Sequence, residues 1–388
     1  MNKQLSIARR MRHIQPFYVM DLLARARNLE AQGCSIIHME IGEPDFVTPD
    51  PIIEAGHKAL KAGHTHYTPA LGLPALRQKI ADSYRLTYGV MVDLSRVLVT
   101  PGSSGALQLV MSVLINPGEA VLMADPGYPC NRHFVRLVEG VPISVPVGAE
   151  TDYQLSADLV EAAWTSQTRA VLVASPSNPT GTLLSAEALR EIHQVVQKRG
   201  GVLIVDEIYQ GLIYDGEGCS ALSIADDIFV INSFSKYYGM TGWRLGWVVA
   251  PSGYVEPMDR LAQNIFLAAS TLSQHAALEA FSDEVAIILE ERRQEYMRRR
   301  DYLLPALQSL GFEIPVVPGG AFYLYAKSAR LTQDSFEFAQ ALLDEAGVAV
   351  TPGRDFGSHR PEQHVRFAYT TSLENLEEGV SRIGRFLG

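Results

Sequence analysis

A lysine with polar neighbours stands in the stretch SFSKYYGMTGWRLGW, which begins at Ser233. Lys236 follows an apolar run at 228–231 that is typical of a buried strand, and open α/β sheets bind their ligands at the carboxyl ends of such strands. Ser235 precedes the lysine directly, and Arg244 follows it. This group suits an amine that bonds covalently to a molecule carrying a phosphate. A solvated loop lysine is the commoner explanation of one such residue, so the interpretation depends on partners elsewhere in the chain.

Three further apolar strands also end in side chains suited to binding a ligand. The first leads into PGSSGAL, where Ser103 and Ser104 add hydroxyls to the free amides that open a helix, an arrangement that suits an anion. The second leads into PSNPTG, where Asn-Pro favours a cis bond and the Asn178 amide can donate or accept. The third ends in Asp206, whose burial requires a cationic partner. A helix cap, an ordinary turn and a structural ion pair are the simpler explanations, but the order of the four strand ends favours one shared crevice.

The elements that would position these side chains follow from the pattern of apolar runs. Strands of near-continuous apolar character alternate with helical stretches, at 97–99, 120–123, 170–174, 202–205, 228–231 and 247–249. Such strands are typical of a mostly parallel sheet covered by helices on both faces. We predict one large α/β domain over residues 47–300 and a small α+β domain formed by residues 301–388 with the N-terminal segment 1–46.

Composition limits the class of protein. The 388 residues carry 33 Lys and Arg against 43 Asp and Glu, a formal charge of −10, which argues against nucleic acid as a partner because a phosphate backbone needs a basic surface. The basic run at 298–300 is predicted to be the solvated side of a charged helix. Three widely spaced cysteines form no CxxC pair, and no spacing suggests a metal site. Without a signal peptide or an apolar run of the ~18 residues that span a bilayer, a soluble cytoplasmic protein is expected.

Nine motifs, in order, resemble those of the class I/II, fold-type I aminotransferases, which use pyridoxal 5′-phosphate (PLP). They are IGEPDF, HYTPALG, PGSSGAL, DPGYP, SNPTG, DEIY, SFSKYYGMTGWRLGW, PGRDFG and HVRFAY, and they run from residue 41 to residue 369. The resemblance covers nearly the whole chain. It implies a large domain with a mostly parallel seven-stranded sheet between helices, a smaller α+β domain, and a homodimer with shared active sites.

The resemblance also implies catalytic roles. Lys236 matches the Schiff-base lysine, which bonds to the cofactor aldehyde and then moves a proton. Asp206 matches the carboxylate that keeps the pyridine nitrogen protonated, which makes the ring an electron sink. Asn178 and Tyr209 match the donors to the ring's phenolate oxygen. Burial and the neighbouring cation Arg244 are expected to favour the neutral amine of the lysine.

The remaining contacts of the cofactor and substrate are carried over in the same way. Tyr128 matches the aromatic residue that stacks on the cofactor ring, and Tyr67 matches one that reaches the phosphate from the neighbouring subunit. Arg366 matches the arginine that binds the substrate α-carboxylate with both nitrogens, helped by Asn178 and the backbone at Gly42. Because Arg366 belongs to the small domain, closure of that domain is expected to exclude water. The other phosphate ligands would be Ser103, Ser104, Ser233, Ser235 and Arg244.

The sequence departs from one bacterial, aspartate-specific branch of this family. That branch has a lysine within the glycine-rich stretch, which binds the side-chain carboxylate of the substrate. PGSSGAL has no lysine, and Ser104 stands near that place. We therefore hypothesise a neutral, apolar or aromatic amino donor, with 2-oxoglutarate or pyruvate as the acceptor. Phe17 and Tyr18 are candidates for the side-chain pocket, with core packing as the alternative.

Two other functions are compatible with the same fold and cofactor. A C-S β-lyase, a decarboxylase or a synthase shares its first steps with an aminotransferase, so the motifs leave that class open. A PLP-binding regulator is disfavoured, because such regulators carry an N-terminal DNA-binding domain and only about 40 residues precede GEPDF. An aminotransferase that works by a ping-pong mechanism is therefore the favoured prediction.

Overall fold

The computed structural model describes residues 7–216 and 218–388. Its helices are α1 (Tyr18–Ala31), α2 (Asp50–Lys61), α3 (Pro74–Tyr88), α4 (Gly102–Leu114), α5 (Pro129–Leu137), α6 (Ala157–Ala163), α7 (Ala186–Lys198), α8 (Ser252–Ile265), α9 (Thr271–Ala277), α10 (Asp283–Ser309), α11 (Ser335–Ala346) and α12 (Leu373–Leu387). Its strands are β1 (Ile37–His38), β2 (Val97–Thr100), β3 (Ala120–Asp125), β4 (Val141–Pro146), β5 (Thr168–Ala174), β6 (Val202–Asp206), β7 (Phe229–Ser233), β8 (Gly246–Val249), β9 (Tyr323–Lys327), β10 (Val348–Ala349), β11 (Thr351–Pro352) and β12 (His364–Ala368). In the described ranges no helix has both the length and the apolar character of a membrane span.

A seven-stranded sheet occupies the centre of the fold, in the order β2-β8-β7-β6-β5-β3-β4. Within it, β8 runs antiparallel to β2 and β7, and the remaining neighbours are parallel to one another. Every residue of β2, β6, β7 and β8 is buried. Burial on both faces explains why these strands are almost continuously apolar in the sequence. The predicted α/β class with a mostly parallel seven-stranded sheet is confirmed.

One strand of this sheet, β4, was missing from the sequence prediction. It lies at the edge of the sheet beside β3, and five of its six residues are at least partly exposed. It also contains prolines at 142 and 146, which an edge strand tolerates because fewer of its N–H groups are needed for pairing. An exposed strand with prolines lacks the apolar run that identified the other six strands.

Two smaller sheets lie outside the central one. The antiparallel sheet β11-β12-β9 is formed by the C-terminal part of the chain, and β1 pairs in parallel with β10. The apolar side of α1 packs near the same region, where Leu22 and Ala26 are buried with Leu343 and Ala349. The N-terminal segment therefore contacts the C-terminal elements. The domain boundary at residue 300 stays a prediction, since α10 continues through that position.

The basic run at 298–300 is not the solvated face that the sequence suggested. Its first arginine is exposed, but Arg299 and Arg300 keep only 3% and 5% of their surface exposed. Arg299 pairs with Asp45 of the GEPDF motif at 2.9 Å, and Arg300 pairs with Asp215 and Asp301. Buried arginines are tolerated when paired carboxylates compensate for their lost hydration. The prediction was wrong because Asp45 and Asp215 are distant in sequence from the helix.

Candidate active site

A cavity of about 220 Å³ opens at the carboxyl ends of the central strands. The strand-end side chains of Ser103, Asn178, Asp206 and Lys236 all line it, because parallel strands bring their carboxyl ends to one edge of a sheet. Nine of the thirteen residues predicted from the sequence share this cavity: Gly42, Ser103, Ser104, Tyr128, Asn178, Asp206, Tyr209, Lys236 and Arg366. Ten further residues complete the lining: Phe17, Val19, Met20, Ile41, Glu43, Leu107, Ala174, Ile208, Thr241 and Tyr323.

Lys236 projects into this cavity from the segment that follows β7. Its Nζ donates a hydrogen bond to the carbonyl oxygen of Gly42 at 2.7 Å. Burial lowers the pKa of Lys236 to about 8, with Glu43 raising it and the cations Arg366 and Arg244 lowering it further. At neutral pH a fraction of the molecules therefore has the uncharged amine, which is the form that acts as a nucleophile or a general base. The prediction that burial and Arg244 favour the neutral amine is therefore confirmed, since both lower the pKa of Lys236.

Asp206 is the last residue of β6 and keeps 6% of its surface exposed. Its Oδ1 accepts a hydrogen bond from the backbone N–H of Ile208 at 3.0 Å. Within residues 7–216 and 218–388 no cationic side chain pairs with it, and burial raises its pKa to about 6. A buried carboxylate without a cation is unfavourable. The position therefore suits a ligand that brings a positive charge, such as a protonated ring nitrogen.

Arg366, in β12, also lines the cavity and keeps 3% of its surface exposed. Its Nη1 donates to Oδ1 of Asn178 at 2.9 Å, and its Nη2 donates to the carbonyl oxygen of Glu40. Its guanidinium carbon lies 4.3 Å and 4.8 Å from the ring centroids of Tyr323 and Phe356. No carboxylate pairs with it in the described part of the chain. A guanidinium held by neutral groups keeps its charge available for a substrate carboxylate.

Two buried tyrosines line the cavity and contact each other. The hydroxyl groups of Tyr209 and Tyr323 are 2.7 Å apart, and burial raises the pKa of both, so each stays protonated. A Cβ added to Gly42 would lie 1.9 Å from the Tyr323 hydroxyl, so only glycine allows this close approach. Sequence reasoning missed Tyr323, because FYLYAK showed only a strand pattern. It also missed Glu43, although that residue lies inside the GEPDF motif.

The start of α4 forms a cradle for an anion. Gly102 has a φ of +70°, and a Cβ there would lie 2.7 Å from Nη2 of Arg244. A Cβ on Gly246 would lie 2.8 Å from the backbone nitrogen of Ser103. The two glycines thus let a guanidinium and strand β8 approach the free amides of a helix start. Both the cation and the positive helix end favour a bound phosphate.

Four predicted residues do not line the cavity itself. Arg244 lies beside it at the helix start, where its Nη1 donates to the carbonyl oxygen of Thr241 at 3.0 Å. Ser233 and Ser235 are buried, with their hydroxyl oxygens 2.9 Å apart. Tyr67 is 82% exposed. Its role toward a neighbouring subunit stays a prediction, as do the phosphate roles of the two serines.

The start of α1 supplies another part of the cavity wall. Phe17, Val19 and Met20 line the cavity there, and the ring of Phe17 meets that of Tyr128 edge-on at 6.4 Å. Tyr18 does not line the cavity, because its ring packs against Phe336 at 5.8 Å instead. Of the aromatic pair singled out in the sequence, Phe17 reaches the cavity and Tyr18 takes the alternative role in packing.

Comparison with known proteins decides the family. Residues 35–383 match the family described as aminotransferase class I and II. The chain belongs to this family. It is therefore a PLP-dependent aminotransferase of fold-type I, as its motifs indicated.

Similar proteins match this chain over almost its whole length, and their names specify substrates that differ from one protein to the next. A (5-formylfuran-3-yl)methyl phosphate transaminase from Methanocaldococcus jannaschii is 38% identical over 98% of this chain and 99% of its own. A valine–pyruvate aminotransferase from Mycobacterium tuberculosis is 36% identical over 96% and 97%. Among solved structures, an aminotransferase from M. tuberculosis has a TM-score of 0.96 at 35% identity, covering 99% of both chains. The Thermus thermophilus aspartate aminotransferase with maleate has a TM-score of 0.93 at 34% identity, covering 98% and 100%.

The site fits PLP in three places. Asp206 is a buried carboxylate without a cation within the described chain, and it suits the protonated ring nitrogen. The cradle formed by Arg244 and the start of α4 suits the phosphate. Lys236, with its lowered pKa, suits the covalent bond to the aldehyde. The three positions share one edge of the sheet, so a single ligand can reach them all.

Proposed function

We propose that the protein transfers the amino group of a neutral, apolar or aromatic α-amino acid to a 2-oxo acid, either 2-oxoglutarate or pyruvate, by a ping-pong mechanism. The observation that supports this donor class is the charge of the cavity wall. Of the residues that line the cavity in the described chain, Lys236 and Arg366 are the only cations, and Glu43 is an additional anion besides Asp206. Among these lining residues no cation is left for a second carboxylate of the donor, and for the same reason pyruvate is favoured over 2-oxoglutarate as the acceptor.

The apolar part of the wall supports the same donor class. It is formed by Phe17, Val19, Met20, Ile41, Leu107 and Ile208. A carboxylate placed against such a surface loses its hydration without gaining a partner, whereas an apolar side chain gains about 25 cal/mol for each Å² that it buries. Ser104 supplies one hydroxyl, which does not neutralise a carboxylate. Aspartate is therefore the disfavoured donor.

The residues around the cofactor would divide the chemistry as follows. Bound PLP supplies an electron sink for the charge that develops at the substrate Cα. Lys236 takes the proton from Cα with its Nζ, and Asp206 keeps the ring nitrogen protonated. Tyr209 and Asn178 donate toward the ring oxygen. Arg366 binds the substrate α-carboxylate and so orients the Cα–H bond toward the lysine.

A homodimer is part of this proposal. Tyr67 is a large aromatic residue that is 82% exposed, although it stands in the HYTPALG motif, which is otherwise rich in turn residues. We infer that it reaches the phosphate of the neighbouring subunit. Each active site would then be complete only in the dimer.

An amino-donor screen on the purified holoenzyme tests the proposal. Leucine, phenylalanine, methionine, alanine and aspartate are each supplied with 2-oxoglutarate, and all except alanine are then supplied with pyruvate, because transfer from alanine to pyruvate gives no net reaction. We expect the apolar and aromatic donors to give the highest kcat/KM. A specific activity on aspartate that equals the activity on the other four would contradict the proposed donor class.

Omission of the oxo acid separates an aminotransferase from a lyase. An aminotransferase supplied with one amino acid alone stops after one equivalent of oxo acid per active site. A C-S β-lyase supplied with a cysteine conjugate continues to turn over and releases ammonia. Continued turnover faster than transamination would favour the lyase as the main activity.

A further inference from the structure

The first turn of helix α1 is capped by a residue from the other end of the chain. Phe17, at the cap position, makes no side-chain hydrogen bond to the helix. Instead, the two carboxylate oxygens of Asp355 accept hydrogen bonds from the backbone N–H groups of Tyr18 and Val19, each at 3.1 Å. Asp355 keeps only 2% of its surface exposed. A carboxylate in this place satisfies free amides and interacts favourably with the positive end of the helix.

The same turn of α1 supplies an apolar wall of the active-site cavity. Phe17, Val19 and Met20 line the cavity, and each lies within two residues of an amide that Asp355 binds. A short helix start that lost its cap would fray, because the first N–H groups of a helix have no partner within it. The position of this wall therefore depends on Asp355.

Asp355 and its neighbour in sequence also contact two other elements near the cavity. It ends a 3₁₀ turn, Gly353–Asp355, and its carbonyl oxygen accepts a hydrogen bond from Nη2 of Arg132 in helix α5. The next residue, Phe356, places its ring 4.8 Å from the guanidinium carbon of Arg366. One turn of chain thus contacts the start of α1, the helix after Tyr128 and the proposed carboxylate-binding arginine.

We propose that Asp355 is a positioning residue for donor selectivity. By binding the start of α1, it holds Phe17, Val19 and Met20 against the side chain of a large apolar or aromatic donor. It touches neither the substrate nor the reacting atoms. The assignment rests on the proposed function, because it explains how an aminotransferase site would select such a donor.

The effect of Asp355 depends on the size of the donor side chain. The ring of phenylalanine extends far enough from Cα to meet a wall, whereas the methyl group of alanine offers little surface to it. Loss of the wall therefore weakens the binding of phenylalanine and leaves the binding of alanine nearly unchanged. The reaction at Cα uses other residues, so kcat changes less than KM does.

The test uses D355A and D355N holoenzymes, with S185A as the matched control. Ser185 caps helix α7 by accepting from the backbone N–H of Ala188 at 3.1 Å, so S185A also removes a helix cap, on a helix that contributes no residue to the cavity. Two ratios are measured: kcat/KM for phenylalanine against alanine, and the Kd of 3-phenylpropionate against propionate. The second ratio does not depend on turnover.

We expect D355A to lower the phenylalanine-to-alanine ratio about fivefold, mainly through KM. The Kd of 3-phenylpropionate should rise by about the same factor, while the Kd of propionate stays within about twofold. D355N should have a smaller effect, because its amide oxygen can still accept one of the two hydrogen bonds. S185A should leave both ratios at the wild-type values.

Equal losses for both donors in D355A, or a shift of the ratios in S185A as large as in D355A, would overturn the positioning role. Cofactor absorbance and circular dichroism show whether each variant is folded, and D355N decides the question if D355A is not. A wild-type enzyme that prefers aspartate would contradict the proposed donor class. The two carboxylate Kd values would still decide the role of Asp355 in that case.

Discussion

The two sides of the active-site cavity are built in different ways. The cofactor side consists of side chains at the ends of β2, β5, β6 and β7, four strands of one buried sheet. The proposed donor side consists of Phe17 and the first turn of α1, whose amides are capped by Asp355. Mutual packing of many strands makes the first side rigid. The second side depends on a few contacts between distant segments, so it can change with less effect on the fold.

This difference predicts which substitutions lower the activity toward every donor and which change only the preference among donors. Changes on the cofactor side should lower the activity toward every donor by a similar factor, because all donors share the reaction at Cα. Changes on the donor side should alter the preference among donors and leave the slow chemical step nearly intact. Four substitutions test the comparison, in order of decreasing expected effect.

Lys236→Ala should have the largest effect. It removes the group that bonds to the cofactor and moves the proton, so kcat should fall about 10³-fold or more for every donor. PLP should still bind, since Arg244 and the start of α4 remain. Steady-state rates with phenylalanine and alanine, together with the PLP content after dialysis, check this. Transamination by the variant at the wild-type rate would show that the central assignment is wrong.

Arg366→Gln should have the next largest effect. The substrate α-carboxylate would lose its cation in a buried site, which costs about 2–5 kcal/mol and lowers kcat/KM by a factor of about 30 or more. The loss should be similar for phenylalanine and alanine, since both have this carboxylate. The rate of the first half-reaction with each donor, followed by the absorbance of the bound cofactor without an oxo acid, tests the prediction. A loss confined to one donor would contradict the role.

Phe17→Ala should affect selectivity rather than chemistry. It removes a ring from the donor side, and the lost apolar contact should lower kcat/KM for phenylalanine about tenfold relative to alanine. The kcat for alanine should stay close to the wild-type value. Tyr18→Ala is the neighbouring control, because Tyr18 packs on Phe336 and does not line the cavity. An equal shift of selectivity in both variants would argue against a specific wall at Phe17.

Glu43→Gln should have the smallest effect, a shift in pH dependence. The neutral form of Lys236 bonds to PLP, so reconstitution of the apoenzyme should accelerate as the pH rises through about 8, the pKa of this lysine. Glu43 raises that pKa, so its neutral replacement should lower it and move the midpoint to a lower pH. The rate of change of PLP absorbance between pH 6 and about 10 measures both midpoints. A shift to higher pH would contradict the assignment.

The cavity was largely predictable from the sequence where its residues are placed by local patterns. Lys236, Asp206, Asn178 and Ser103 each follow an apolar strand, and one edge of a parallel sheet collects the ends of such strands. Residue type and position along the strand were enough to predict that they share a site. The family resemblance then added Arg366, which comes from a different sheet.

Other features were not predictable because they depend on contacts between segments that are far apart in the chain. Tyr323 approaches Gly42, and Asp355 caps the start of α1, but neither pairing leaves a local pattern in the sequence. The burial of Arg299 follows from Asp45, which is 254 residues away. Strand β4 was not predicted because an exposed edge strand needs few apolar residues.

The sequence by itself therefore indicated the α/β class through its apolar runs and the family through its ordered motifs, and the resemblance predicted residues of which nine line one cavity. Only the tertiary structure decided which side chains form the cavity wall at the start of α1: Phe17 lies in it, Tyr18 does not, and Asp355 binds the first amides of the helix. The physical reason is that burial and hydrogen bonding between remote segments depend on the packing of the whole chain. The local pattern of apolar and polar residues indicates only the contacts that a segment makes with residues near it in the sequence.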